Sequence, residues 1–194
     1  MAIKVVDLAQ VGEQRLGQAV RAVIAAQTEG RAGEAQHRLP SLARLCQGAA
    51  ATHASSDEAP AQYFQSILEL GYLVASADGF AEQEARALAM LLEQATGSAV
   101  RRDELELHFK DLEEGCAALG RSERLRRAAA DFEDAIGKTE AIGFAALVAG
   151  ADGVLADAEL ELLAELGACF GLGRAAVQQI VNGVARDIQR ALES

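Results

Sequence analysis

Apolar residues recur at three- and four-residue steps along most of the chain, the period of a helix with one buried face. Val5, Leu8, Leu16, Ala19, Val20 and Val23, with Gly12 on the same face, predict an amphipathic helix over 3–27, which Gly30 and Gly33 end. Leu39, Leu42, Leu45 and Cys46 predict a second over about 34–49, with Pro40 tolerated in its first turn. Residues 47–59, QGAAATHASSDEA, hold few bulky apolar groups to bury and read as a linker. From Pro60 the stripe strengthens. Phe64, Ile67, Leu68, Gly71 and Ala75, widened by Tyr63, Leu70, Leu73 and Val74, predict a helix buried on most sides and ending at Asp78-Gly79.

Ala85, Leu88, Ala89 and Leu92 then mark a helix over about 81–95, and Leu105, Phe109, Leu112, Cys116 and Leu119 mark another, closed by Gly120. Ser122 can cap a helix carrying Leu125, Ala128, Ala129, Phe132 and Ile136. Thr139 can cap the apolar helix 140–151, which ends at Asp152-Gly153. Residues 157–170 present Leu162, Leu163, Leu166 and Phe170, and the last helix presents Val177, Ile180, Val181, Val184, Ile188 and Leu192. The predicted fold is all-α, a multi-helix bundle.

Composition supports this reading: there are 2 prolines, only 4% aromatics, and β-branched residues do not alternate. Residues 1–60 contain as many Lys and Arg as Asp and Glu, so the whole net charge of −11 falls on 61–194. That balance argues against nucleic acid or anionic lipid as a partner and leaves cations and basic protein surfaces. Lys4, Asp7, Glu13 and Arg15 interrupt the region a signal peptide would need for its apolar core, and the longest uncharged apolar run, Ala141–Ala151, is too short to span a membrane. Cys46, Cys116 and Cys169 form no CxxC pair and are expected as buried free thiols in a reducing, cytoplasmic compartment. His108, between Leu105 and Leu112, reads as a rim or core histidine. The arginines at 121, 124, 126 and 127 read as a solvated helix face.

Two stretches repeat. YLVASADGFAEQEARALAMLLEQ (72–94) aligns with ALVAGADGVLADAELELLAELG (146–167), matching Val74 with Val148, Asp78 with Asp152 and Gly79 with Gly153. After a one-residue gap, Glu84 matches Glu159 and Leu88 matches Leu163. Each copy is a buried helix, Ala-Asp-Gly, a short junction and an amphipathic helix with Glu in its first turn. The bundle is therefore expected to carry an internal pseudo-two-fold duplication of helix–AspGly junction–helix units, in a domain over 56–194 preceded by an N-terminal helical pair and linker over 1–55.

The paired ADG…E junctions in an acidic, all-helical chain resemble the bacterial tellurite-resistance TerB family, whose domain also occurs at one end of DnaJ-like co-chaperones. The resemblance covers roughly 60–190. It implies pseudo-symmetric helical pairs, a role in stress or tellurite resistance, and junction acids clustered into a metal site: Asp78, Glu84, Asp152 and Glu159.

The residues themselves leave two readings open. In one, Glu84 and Glu159 point back toward the aspartates and four carboxylates meet, an all-oxygen donor set suited to Ca²⁺, Mg²⁺ or Mn²⁺. In the other, Gly79 and Gly153 end helices in the left-handed conformation, the acids cap locally, and the chain is a helical adaptor without metal. A true EF-hand loop is excluded, because its first and third positions would be Val148 and Gly150. Gly137-Lys138-Thr139 lacks the upstream glycine and the strand of a phosphate-binding loop. No Ser/His/Asp or Cys/His spacing of a hydrolase is present, so the expected role is non-enzymatic and exercised through a protein partner.

Overall fold

A computed structural model describes residues 3–4, 18–19, 22–23, 38–53, 58–79, 89, 102–150 and 154–193. These residues are mostly helical. Among the described residues seven helices have both ends defined: α1 Leu42–His53, α2 Glu58–Ala75, α3 Arg102–Leu119, α4 Arg121–Ala129, α5 Ala135–Ala149, α6 Asp157–Cys169 and α7 Arg174–Glu193. The described extended pairing is two residues long: β1 (Ile3–Lys4) lies antiparallel to β2 (Val154–Leu155), with Ile3 opposite Leu155. Among the described residues no helix is long and apolar enough to cross a membrane.

Helix α5 sits at the centre because it has no polar face. Every residue from Glu140 to Gly150 is buried, so neighbours must close over it on all sides. Helix α2, itself buried from Leu70 to Ser76, forms the most extensive contact with it, and α6 and α7 also pack on it. Tyr63 of α2, Phe132 before α5 and Phe170 after α6 form a chain of edge-on ring contacts, with centroids 5.4 Å and 6.0 Å apart.

The segment ahead of α1 completes this enclosure. Leu39, Leu45 and Ala49 belong to the same buried cluster as Phe144 and Leu163. The Arg38 backbone crosses α5 at Gly143, where an added Cβ would overlap the Arg38 carbonyl oxygen. The Arg38 side chain continues over Gly183 of α7 and donates from Nη1 to Asp187 at 3.0 Å. At Gly48 an added Cβ would lie 2.6 Å from the Phe64 Cβ, so the small residues of 47–53 permit a close α1–α2 crossing. The stretch read as a linker is therefore helical as far as His53. Low side-chain bulk there reflects tight packing, with no surplus surface left to bury.

Several other expectations shift. Ile3–Lys4 is extended where a helix was expected, although Ala19 and Val23 are helical and buried as the pattern predicts. The helix expected to run through Ile136 stops at Ala129, and Asp134 starts α5 by accepting from the Gly137 N–H at 2.7 Å. Ile136 is left 52% exposed. Thr139 donates to the Ala135 carbonyl inside α5, and the N-cap of α4 is Gly120, without a side-chain bond from Ser122. Leu119 is 45% exposed, so the α3 stripe ends a turn early. Cys46 and Cys169 are exposed and Cys116 half-buried, which corrects the expectation of buried thiols. Of the expected helix 81–95, Ala89 is described: it is helical and packs against the core.

Gly143→Ala should lower the unfolding free energy by about 2–3 kcal/mol, because the atom it meets is backbone and cannot rotate away. Urea denaturation checks this. An unchanged midpoint at unchanged slope would mean that the 38–41 segment does not lie across α5.

Candidate functional site

The expected junction acids fall into two groups. Asp78 and Glu159 are described, whereas Glu84 and Asp152 lie outside the described residues.

At the first junction, α2 stops at Ala75, ahead of the expected Asp78-Gly79, and Gly79 takes φ +118° in the turn that follows, where its N–H donates to the Ser76 carbonyl. Asp78 is exposed. The carbonyls of the turn just past α2 are met by a cation supplied by the chain: Arg121 donates from Nη2 to the Ser76 carbonyl at 2.5 Å and from Nη1 to the Ala77 carbonyl at 3.0 Å. A guanidinium at the negative end of a helix satisfies orphan carbonyls and complements the helix dipole. Past the second junction, Glu159 is 1% exposed, and its Oε2 accepts from the Ala156 N–H at 2.6 Å. That is the reach-back half of a capping box, here without a side-chain acceptor at the N-cap. Asp78 thus lies in the turn after one helix and Glu159 in the first turn of another. Among the described residues no group of three or more His, Cys, Asp or Glu side chains could hold a metal ion. The described pair alone does not make a hard-cation site.

A second buried carboxylate belongs to an ion-paired group elsewhere. Glu140, 4% exposed in the first turns of α5, accepts two hydrogen bonds at Oε2, from the Tyr63 hydroxyl at 2.7 Å and from Arg44 Nη1 at 2.6 Å. The Arg44 guanidinium also stacks 3.8 Å from the Tyr63 ring centroid, and Asp134 lies 4.0 Å from its Nη2. One carboxylate therefore joins α1, α2 and α5. Burial raises the Glu140 pKa, opposed by the Tyr63 hydrogen bond and the Arg44 charge. Burial and the neighbouring Glu140 keep the Tyr63 phenol protonated. Sequence periodicity missed this group, because Glu140 stands at the edge of an apolar run where it resembles an ordinary first-turn acid. The available signal was a charge at the mouth of a helix that has no polar face.

A second bridge joins α4 to α2, with Arg124 Nε on Glu69 Oε1 at 2.6 Å. The imidazole of His108 is half-buried nearby, its pKa lowered chiefly by burial, with Arg124 adding to the effect and Glu69 and Asp111 opposing it. Asp131 accepts from Ser66 and Gln62 of α2. The arginine run is thus divided. Arg121 and Arg124 brace α2, whereas Arg126 and Arg127 form the expected solvated face, each pairing with Glu123. Comparison with family models, with curated proteins and with solved structures finds no match to this chain.

Two outcomes follow from this geometry. Glu140 titrates higher in the folded chain than its ordinary 4.5, so its contribution to stability is full below that value and falls as pH rises through its folded pKa. Removing Arg44 deepens the fall. Arg44→Gln should cost about 2 kcal/mol at pH 7, with the gap to wild type narrowing toward pH 5, as measured by urea denaturation across pH. Separately, Arg121→Met should cost about 1–2 kcal/mol and speed amide exchange in the last turn of α2.

Proposed function

We propose that the chain is a TerB-like, non-enzymatic interaction module, in which the interior charges hold helices together and the acidic outer surface engages a protein partner. The observation that carries this reading is the employment of the enclosed ionic groups. Arg38–Asp187, Arg44–Glu140–Tyr63, Arg124–Glu69 and Arg121 on the α2 carbonyls each join separate elements of the fold. Groups committed in this way are poorly placed for turnover, which calls for a proton-transfer group within reach of a bound substrate.

The proposed duplication fits the same picture. The helices that precede the two Asp-Gly junctions are α2 and α5, which pack against each other through the middle of the fold. Two copies of one unit, each burying its first helix against the other's, would place the junctions at helix ends and the second helices outside. In this reading Asp78 and Asp152 belong to helix termination, and the partner is recognised by surface.

Titration with Ca²⁺, Mg²⁺ or Mn²⁺ separates this reading from the cation-binding form implied by the family resemblance. A cation at about a hundred times its Kd would add about 2.7 kcal/mol of stability, or roughly 5–10 °C in Tm for a chain of this size. The module reading expects a shift under ~1 °C against NaCl of equal ionic strength, and the same for Asp78→Asn/Asp152→Asn. An EDTA-reversible rise in wild type that the double variant lacks would establish the four-carboxylate cation site instead.

A further inference from the structure

Helix α3 lies along the outside of the described bundle and is lightly anchored. Among its described residues Leu105 and Leu112 are buried, while His108 and Phe109 are half-buried and Leu107 is 63% exposed. Its inner face meets α2 through the stacked rings of Tyr72 and Phe109, 5.5 Å between centroids. It meets α4 at Gly115, where an added Cβ would collide with the Arg124 guanidinium, itself bonded to Glu69 of α2. An element with so few buried side chains can open locally, ahead of the whole fold.

His108 stands two turns before Gly115 on the same face. Its Nε2 is buried and has no hydrogen-bond partner among the described residues. In the neutral ring the proton can sit on Nδ1, which leaves only an idle acceptor at Nε2; in the imidazolium both nitrogens carry N–H, and a buried donor without an acceptor is costly. The charges around it do not supply one. Glu69 of α2 already takes the Arg124 Nε at 2.6 Å, and Arg124 of α4 repels a second cation. Glu104 and Asp111, about one turn to either side on α3, are exposed, where water screens them. Burial accordingly holds the imidazole pKa below its ordinary 6.5, Arg124 adding to the effect and Glu69 and Asp111 opposing it. The packing of His108 therefore contributes fully above that value, and its contribution is lost as pH falls through the folded pKa.

We propose that His108 is a proton-operated latch on α3: while the imidazole is neutral α3 lies against α2 and α4, and protonation releases α3 and uncovers the surface beneath Phe109 and Leu112. The proton is accepted at the buried Nε2 once the ring has reached water, so the open form is the one that binds it. Arg124 and Glu69 stay paired across α4 and α2, which keeps the opening confined to α3.

Native-state amide exchange of the full chain between pH 7.5 and 5.5, corrected for the intrinsic pH dependence of exchange, tests the latch. A group that binds its proton only after opening raises the opening constant by up to about tenfold for each pH unit below 6.5. The amides of Phe109, Leu112 and Cys116 are expected to exchange through an opening below global unfolding, with a constant that rises at least about threefold over this range. His108→Gln and His108→Leu, both checked for folding by far-UV circular dichroism, should each remove the rise. The His108 imidazole, followed by NMR, should titrate over the same pH range, and Glu69→Gln should move its midpoint lower by removing the carboxylate that favours the cation. A rise that persists in both His108 variants, α3 amides that open only with the whole chain, or an imidazole that titrates while α3 exchange stays flat, the ring having turned into water by itself, would each overturn the latch.

Discussion

From Ala141 to Ala149, helix α5 cannot face water on any side. Its residues from Ala141 to Ala149 carry no polar side chain and all are buried. An isolated helix of this kind would expose a full cylinder of apolar surface, at roughly 25 cal/mol for each Å² left uncovered. The remaining architecture follows from closing that cylinder: α2 along one side, α6 and α7 along others, and the Arg38–Ser41 lead-in to α1 over the gap at Gly143. Glycine at 143 lowers helix propensity, and in exchange a neighbouring backbone approaches α5 more closely than any side chain would permit.

Closing the cylinder buries charges, and their arrangement follows electrostatic logic. A carboxylate taken out of water is costly unless its charge and lone pairs are met. Glu140 receives a phenol and a guanidinium, Glu69 a guanidinium, and Asp187 the guanidinium that has travelled with the Arg38 segment. Each pair joins separate elements, so its partners meet only when those elements stand in this arrangement. Arg121 belongs to the same set, with helix carbonyls in place of a carboxylate.

Helical class, the buried character of α2 and α5, and the stripe of α7 were legible in the sequence, because each rests on the periodicity of large apolar residues. What escaped the pattern did so for two physical reasons. Small residues carry no sign of what approaches them, so Gly48 and Ala49 read as linker when they mark a tight crossing. Long polar side chains reach far from their own position, so Arg44 reaching Glu140, and Arg121 reaching Ser76, cannot be found by spacing. The two Ala-Asp-Gly stretches were visible at once, but α2 ends at Ala75, ahead of Asp78, and Gly79 takes its positive φ in the turn beyond. The contribution of Arg121 to that terminus depends on tertiary structure alone.

The fold is thus a central apolar helix enclosed by neighbours and pinned by half-buried ion pairs. The 38–53 segment closes the core and should share its cooperativity. Native-state hydrogen exchange tests this residue by residue. The amides of Leu45, Gly48 and Ala49 in α1 should exchange with the same free energy of opening as those of Phe144 and Val148 in α5. Release of the α1 amides through a separate opening, several kcal/mol below global unfolding, would contradict it.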